Sequence, residues 1–171
     1  VFYFKRELLP LLPKNKELFI LDVGCGNGSL LQVLQNSGYK NLHGIDLSEE
    51  QVVMARNMGL KNVRCAQVTD YLHENPNKFD VICLIDVIEH FTKDELSALL
   101  GLIKNSLKQG GIVLFRTPNM DAPLNSVFAY GDFTHECLLN KNSALQLMCS
   151  MGYLQVEVLP SMIYAEGFLK E

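Results

Sequence analysis

A glycine-rich segment is the first candidate for chemistry in this chain. The stretch LDVGCGNGSL, residues 21–30, carries Gly24, Gly26 and Gly28 directly after an apolar run. Glycine lets the backbone turn tightly and lets a ligand approach closely where a strand leads into a helix. A dinucleotide-binding loop prefers the spacing G-x-G-x-x-G, whereas the third glycine here comes one residue earlier. The spacing therefore disfavours an NAD-dependent dehydrogenase.

An acidic residue, Asp46, indicates a ligand that contains a ribose. It ends the second apolar run, about 20 residues after the glycines, where a carboxylate can accept hydrogen bonds from both ribose hydroxyls. The alternative is that Asp46 caps the following helix, but the neighbouring Ser48 is the better N-cap. We therefore expect Asp46 to contact the ligand.

Residues 118–142 form the longest segment without clear periodicity, and such a loop in a compact domain is usually functional or mobile. Polar side chains in it or just before it are Arg116, Asn119, Asp132, Thr134, His135 and Glu136. We predict His135 as the catalytic base, because an imidazole can transfer a proton near neutral pH. The alternative is that Asp132, His135 and Glu136 form a hydrogen-bonded latch of the loop without chemistry.

Three aromatic residues of the same loop allow two interpretations. Phe128, Tyr130 and Phe133 either line a pocket for the acceptor or fill the core beneath the loop. Large aromatic side chains serve both purposes, so the sequence leaves the two alternatives open.

The sequence does not predict a metal site. His135, Glu136 and Cys137 are adjacent, so their side chains cannot converge on one ion without other ligands. The remaining histidines lie on other segments without the spacing of metal ligands, namely His43, His73 and His90. Glu89 and His90 enter a helix, where packing or bonding to the backbone is the expected role.

Apolar runs with strand character alternate with segments of helical periodicity. The predicted strands are residues 19–23, 41–47, 63–68, 79–86, 112–117 and 154–159. The predicted helices are residues 29–36, 48 to about 58, 93 to about 107 and 143 to about 152. The predicted N-caps of the last three are Ser48, Thr92 and Ser143, and Gly110-Gly111 is expected to end the third helix. This order predicts a doubly wound, mostly parallel α/β sheet with helices on both faces. Ligands of such sheets bind at the carboxyl ends of the strands.

Length and composition fit one globular domain, residues 1–171. A net charge of −4 and the lack of a Lys/Arg cluster argue against a nucleic-acid partner. Five cysteines without a CxxC pair are expected to be free thiols in a reducing cytoplasm. No apolar run has the ~20 residues of a membrane span, and no signal peptide is visible, although the chain opens with Val1.

Three blocks together resemble class I S-adenosylmethionine-dependent methyltransferases. They are LDVGCGNGSLL, GIDLS and FDVICLIDVIEHF, and their order and spacing match the family over about residues 18 to 160. The DFTHE segment, residues 132–136, further resembles a subgroup that accompanies the biosynthesis of glycans and other small molecules. The resemblance implies S-adenosylmethionine as cofactor, with S-adenosylhomocysteine as its product.

The resemblance also implies roles for individual residues. Asp22 would orient the glycine loop or meet the amino group of the cofactor through water. Asp46 would bind the ribose hydroxyls, Leu47 would pack on the adenine, and Gln67 and Val68 would lie at the edge of the adenine. The residues implied around the methionine part are Gly24, Cys25, Gly26, Leu84, Ile85 and Asp86.

The expected activity is methyl transfer to a small-molecule or glycan acceptor, with oxygen as the methylated atom. The alternatives are a nitrogen or carbon methyltransferase with the same cofactor site, and a cofactor-binding module that lost catalysis. Residues 1–17 are expected to form a helix or lid over the cofactor, where Tyr3 or Arg6 would contact its carboxylate. Family members end with a seventh, antiparallel strand, whereas residues 161–171 suit a short helix or tail, so we expect a sheet that lacks its last strand.

Overall fold

A parallel sheet of five strands forms the centre of the computed structural model, which describes residues 3–160. The strands are β1 (Phe19–Val23), β2 (Asn41–Asp46), β3 (Val63–Cys65), β4 (Phe79–Ile85) and β5 (Leu107–Arg116). Their order across the sheet is β3-β2-β1-β4-β5, and each neighbouring pair is parallel. From β1 the chain first adds β2 and β3 on one side and then adds β4 and β5 on the other. The gap between β1 and β4 is therefore the switch point at which α/β sheets bind ligands.

Helices follow the strands and cover both faces of the sheet. They are α1 (Ser29–Asn36), α2 (Glu49–Asn57), α3 (Val68–His73), α4 (Lys93–Ser106), α5 (Asn125–Ala129) and α6 (Lys141–Ser150). Short helical turns occupy Phe4–Leu8, Leu9–Leu11 and Ile88–His90. The predicted doubly wound α/β fold is therefore confirmed. Within the described residues, no helix is long and apolar enough to cross a membrane.

The two faces of the sheet bury two separate hydrophobic clusters. In β4, Ile82 and Leu84 belong to one cluster, while Val81 and Cys83 belong to the other. Successive side chains of a strand point to opposite faces, so a strand that is covered on both faces must be apolar at nearly every position. This requirement explains why the strands could be recognised from continuous apolar runs.

Most predicted boundaries hold, and the exceptions have physical causes. Ser48 and Thr92 cap α2 and α4 as predicted, and Thr92 forms a capping box with Glu95. For α6 the N-cap is Asn140, and Ser143 is the third helical residue of its capping box. An Asx side chain three residues earlier competes equally for the cap, so the prediction of Ser143 was wrong by one turn.

The third strand is shorter than predicted, because it lies at the edge of the sheet. Val63–Cys65 pairs with β2 alone, and Gln67 already serves as the N-cap of α3. The helix α3, with six residues, is too short to show helical periodicity in the sequence. The prediction that residues 63–68 form one strand was therefore wrong in its second half.

Two further differences concern β5 and the segment after α6. α4 ends at Ser106, and β5 begins at the next residue. Gly110 was predicted to follow the end of the helix. It lies instead inside β5, with φ of +75°, at an irregularity in the β4–β5 pairing. Residues 154–159 form no strand, and Leu154 is 97% exposed. Alternating apolar residues give this segment one apolar face, as in a strand. A strand also needs a neighbouring strand with free backbone N–H and C=O groups to pair with. The expectation for residues 161–171 lies outside the described residues.

Gly28 is the position where the fold depends most directly on glycine. Its φ is +83°, and a Cβ there would collide with Leu60 and lie 3.1 Å from Ala55 Cβ. We expect Gly28→Ala to lower the free energy of unfolding by about 2 kcal/mol or more, from backbone strain and overpacking. Gly101→Ala, in the middle of α4 with open space around its Cα, should change it by less than about 1 kcal/mol. Urea unfolding of both variants measures the difference, and equal midpoints would contradict it.

Candidate cofactor and acceptor site

The glycine loop lies at the carboxyl end of β1, with all three glycines in the left-handed region. Gly24, Gly26 and Gly28 have φ of +67°, +52° and +83°, a conformation that strains residues with a Cβ. A Cβ on Gly24 would lie 2.6 Å from Val87 Cγ2, whereas a Cβ on Gly26 would meet nothing closer than 3.8 Å. Gly24 is therefore needed for packing against the segment after β4, and Gly26 leaves open space beside the loop.

Asp46 joins the glycine loop to the end of β2. Its Oδ2 accepts a hydrogen bond from Gly26 N–H at 2.8 Å, and its Oδ1 accepts one from Ser48 N–H at 2.9 Å. The backbone adds a third tie, because Cys25 N–H donates to the Ile45 carbonyl at 2.9 Å. A carboxylate has about four acceptor positions, so Asp46 retains capacity for two more donors.

Leu47, Gln67 and Val68 lie around the same end of the sheet. Leu47 follows Asp46 with 66% of its surface exposed, an apolar side chain that nothing in the described structure covers. Cys65 Sγ lies 3.3 Å from the Leu47 carbonyl oxygen, which brings the end of β3 beside it. Gln67 is exposed at the start of α3, and Val68 is half-buried against the core.

Asp22 lies beneath the loop and is almost completely buried, at 3% exposure. Burial raises the pKa of Asp22 to about 8, and the negative charge of Asp46 adds to this rise. The buried thiol of Cys25 responds in the same way, since burial, Asp22 and Asp46 raise its pKa to about 12. At neutral pH, Asp22 therefore keeps its proton in the absence of a ligand, and Cys25 is no nucleophile.

At the end of β4, Asp86 is held by Arg116 from the end of β5. Arg116 Nε donates to Asp86 Oδ1 at 2.8 Å, and its Nη2 bonds to Oδ2. Asp86 also has φ of +56°, and the ring of Tyr3 lies 4.2 Å from the guanidinium carbon. Tyr3 therefore lies beside the ion pair, and its contact with the carboxylate of the cofactor stays a prediction. Sequence reasoning missed the pairing of Asp86 with Arg116, because no local spacing indicates it.

Leu84 and Ile85 reach this region in different ways. Leu84 is fully buried in the core cluster of the α4 face, so only its backbone can face a ligand. Ile85 is half-buried and packs at the edge of the opposite cluster. Of the two side chains, that of Ile85 is therefore the one that can contact the methionine part of a cofactor.

The loop after β5 docks on the turn Ile88–His90. The Glu89 carbonyl oxygen accepts hydrogen bonds from Glu136 N–H at 2.7 Å and from Cys137 N–H at 3.0 Å. This pair of bonds places the ring of His135 against that of His90, with 5.0 Å between the ring centroids. The structure therefore brings together two histidines that the sequence keeps on separate segments.

Each of these histidines uses its Nδ1 atom for a hydrogen bond. His135 Nδ1 lies 2.9 Å from the Ala129 carbonyl oxygen, which can only accept, so Nδ1 is the donor. His90 Nδ1 lies 2.9 Å from Thr134 Oγ1, whose proton goes to Asp132 Oδ1 at 2.7 Å. His90 Nδ1 must then donate as well. In the neutral form, both rings present an unprotonated Nε2.

The aromatic residues of the loop do not all fill the core. Tyr130 is 74% exposed and Phe133 is fully exposed at the surface. The alternative that these two side chains plug the core beneath the loop is therefore wrong. The Phe128 side chain lies outside the described part of the structure. Of the predicted latch residues Asp132, His135 and Glu136, the first two are joined by a backbone bond from the His135 N–H to the Asp132 carbonyl oxygen at 3.4 Å. The Asp132 carboxylate bonds to the Thr134 N–H and hydroxyl instead.

Comparison with protein families gives one matching model, described as a methyltransferase domain, over residues 2–153. Ubiquinone biosynthesis O-methyltransferase of Neisseria meningitidis serogroup C is 33% identical over 106 residues, which is 58% of this chain and 44% of that protein. The protein of the same name from Aliivibrio fischeri is 34% identical over 105 residues, again covering 58% and 44%. The chain thus spans less than half the length of these curated relatives.

Solved structures show the same fold. A SAM-dependent methyltransferase from Archaeoglobus fulgidus has a TM-score of 0.78 at 24% identity, over 90% of this chain and 69% of that one. Phosphoethanolamine N-methyltransferase 2 from Haemonchus contortus, in complex with S-adenosyl-L-methionine, has a TM-score of 0.75 at 23% identity, over 90% and 37%. The predicted methyltransferase fold is confirmed by these likenesses.

The raised pKa of Asp22 predicts a pH-dependent stability. The unfolded carboxyl loses its proton near pH 4 and the folded one near pH 8, so the folded protein loses stability as the pH rises through this window. The amide of the Asp22→Asn variant does not titrate in this pH range. We expect the wild type to lose stability relative to Asp22→Asn between pH 5 and pH 7.5, by up to about 1.4 kcal/mol per pH unit. Urea unfolding at both pH values tests this, and parallel pH profiles would contradict it.

Proposed function

Because the chain belongs to the methyltransferase domain family, we propose that it transfers a methyl group from S-adenosylmethionine to a hydroxyl of a small molecule. The observation that carries the proposal is the Asp46 carboxylate, held between Gly26 and Ser48 with acceptor capacity to spare beside the open glycine loop. The O-methyltransferase relatives support oxygen as the methylated atom.

The residues at the carboxyl edge of the sheet fit the parts of this cofactor. Asp46 has two free acceptor positions for the two ribose hydroxyls, which are donors. The exposed side chain of Leu47 offers an apolar surface for the adenine, and burying it would remove its contact with water. Gln67 and Val68 complete that side. The residues proposed for the methionine part are Asp22, Gly24, Cys25, Gly26, Leu84, Ile85 and Asp86.

The charges of the site also match the cofactor. S-adenosylmethionine carries a positive sulfonium and an ammonium group, together with one carboxylate. Asp46 and the buried Asp22 lie close enough for their charges to interact, and a nearby cation would favour the ionised form of Asp22. The Asp86–Arg116 pair offers both signs of charge, which suits a group that carries an ammonium and a carboxylate.

On the acceptor side, His135 is the proposed base. When bound, S-adenosylmethionine supplies an electrophilic methyl group on sulfur. The bond to the Ala129 carbonyl orients the His135 ring and leaves Nε2 free to accept the proton of the acceptor hydroxyl. The exposed rings of Tyr130 and Phe133 are available to an apolar part of the acceptor. A glycan acceptor and a cytoplasmic location stay predictions from the sequence.

The alternatives differ in the atom that receives the methyl group. A nitrogen or carbon acceptor would use the same cofactor site, and an inactive module would bind the cofactor without turnover. Calorimetric titration with S-adenosylmethionine, S-adenosylhomocysteine and NAD, followed by mass spectrometry of hydroxylated small molecules after incubation, separates them. Cofactor binding with an added methyl group on oxygen supports the proposal. Binding of NAD alone would overturn it.

Removal of the Asp46 carboxylate should weaken cofactor binding. We expect Asp46→Ala to lower the affinity for S-adenosylmethionine by about 10- to 100-fold, which is the effect of losing hydrogen bonds to a charged group. Glu50→Ala is the matched control, because Glu50 is an exposed acid in the first turn of α2. Calorimetry measures both affinities at equal folded fraction. An Asp46→Ala affinity within twofold of the wild type would exclude the ribose contact.

Replacement of His135 should impair turnover rather than cofactor binding. Because the ring lies on the loop after β5 and not at the glycine loop, we expect His135→Ala to lower kcat by about 100-fold or more with an unchanged affinity for S-adenosylmethionine. Glu136→Ala, which removes the exposed side chain next to His135 on the same loop, is the control and should leave kcat within about twofold of the wild type. An unaltered rate in His135→Ala would assign His135 to the latch alone.

A further inference from the structure

A cluster of three side chains beside the proposed acceptor site has the composition of a metal site. One ligand atom from each of Glu89, His90 and His135 lies within 4.8 Å of the others. Two imidazole nitrogens and one carboxylate form a ligand set that catalytic zinc and other divalent transition metals use, with open positions for water or substrate. The cluster is assembled by the fold, since the docked loop brings His135 to the turn that carries His90.

The two histidines are already oriented as metal ligands. A metal-bound imidazole usually donates its other N–H to a carbonyl or carboxylate, which fixes the tautomer and the ring. His135 meets this requirement through the Ala129 carbonyl, and His90 meets it through Thr134, whose hydroxyl is in turn bound by Asp132. Because each ring uses Nδ1 for this bond, its Nε2 lone pair is free to bind an ion.

Glu89 provides an independent observation, because it has a buried carboxylate oxygen without a hydrogen-bond partner in the described part of the chain. Its side chain is only 1% exposed, and its Oε2 atom has no hydrogen-bond partner among the described residues. The Oγ1 atom of the neighbouring Thr117 is likewise buried and unpaired. A buried carboxylate oxygen without a partner costs free energy, and a cation would satisfy it.

We infer that Glu89, His90 and His135 bind a divalent transition-metal ion of the Zn²⁺ class. Bonds of about 2.0–2.2 Å to one ion bring its ligand atoms within about 4.4 Å of each other, so small side-chain rotations complete the site. This departs from the sequence expectation of no metal, which rested on adjacent ligands within one segment.

The ion also gives the acceptor site a defined chemistry, a part of the inference that rests on the proposed function. An acceptor hydroxyl at an open coordination position is polarised by the ion. Its O–H bond would break and the proton would leave to solvent water. The oxygen would then use the freed electron pair to bond the methyl carbon, while the carbon–sulfur bond breaks with its electron pair left on sulfur, which gives S-adenosylhomocysteine. With the ion bound, His135 is a ligand and water takes the proton, so the role of base proposed above for His135 applies to the metal-free chain. Val87 packs on Gly24 three residues before His90, which places this turn beside the glycine loop.

Binding is tested by calorimetric titration of the chelator-treated full chain with Zn²⁺, without cofactor or acceptor. We expect one ion per chain, and a loss of affinity of about 10- to 100-fold or more in Glu89→Gln, His90→Ala and His135→Ala. Thr134→Val, which keeps all three ligands but removes the acceptor of the His90 N–H together with the hydroxyl bond to Asp132, should lower the affinity about tenfold. His73→Ala, an exposed histidine on α3, is the control and should bind as the wild type does.

Unfolding midpoints of the metal-free variants show whether each protein is folded. Unchanged Zn²⁺ binding in the three ligand variants would place the ion elsewhere, for example on exposed thiols, and would overturn the inference, as would no binding at 100-fold excess of ion. Because the titration needs neither cofactor nor acceptor, it separates this inference from the proposed function. Methyl transfer that persists unchanged with a chelator would overturn the role of the ion in turnover.

Discussion

The rest of the site depends on the two hydrogen bonds that the Asp46 carboxylate accepts from the backbone. Its two oxygens hold Gly26 N–H and Ser48 N–H, so one side chain fixes both the glycine loop after β1 and the start of α2. Hydrogen bonds to an ionised acceptor are stronger than neutral ones, and Asp46 is only partly shielded from water. The same charge adds to the raised pKa of Asp22 beneath the loop. Asp46 therefore both positions the glycine loop and contributes to the raised pKa of Asp22 beneath it.

The acceptor side has an equivalent anchor in the backbone. The Glu89 carbonyl oxygen receives two N–H groups from the loop after β5, and this pairing requires no particular side chain at residues 136 and 137. It determines where His135 lies, while the Ala129 carbonyl determines how its ring is turned. Two backbone bonds and one bond to the ring thus give His135, on a long loop, a fixed position above the rigid sheet.

Sequence reasoning predicted the features that local chemistry specifies. The glycine spacing, the caps Ser48 and Thr92 and the continuous apolar strands each follow from neighbouring residues. It failed where a partner from another segment decides the outcome. The alternation at residues 154–159 indicates a face but not an edge to pair with, and the short α3 has too few residues for a period. The pairing of Asp86 with Arg116, and of His90 with His135, appears only when the parallel strands bring their carboxyl ends together.

The residues from Asp86 to His90 connect the two halves of the site. Asp86 meets Arg116 at the cofactor side, Val87 packs under Gly24, and Glu89 and His90 face the docked loop. Asp86 adopts φ of +56° to start this turn, a conformation that costs energy in most residues but that Asp tolerates better than bulkier ones. Val87 contacts the glycine loop, while Glu89 and His90 contact the loop after β5. Five consecutive residues therefore carry contacts to both loops, which explains why the two loops lie side by side at the carboxyl ends of β1, β4 and β5.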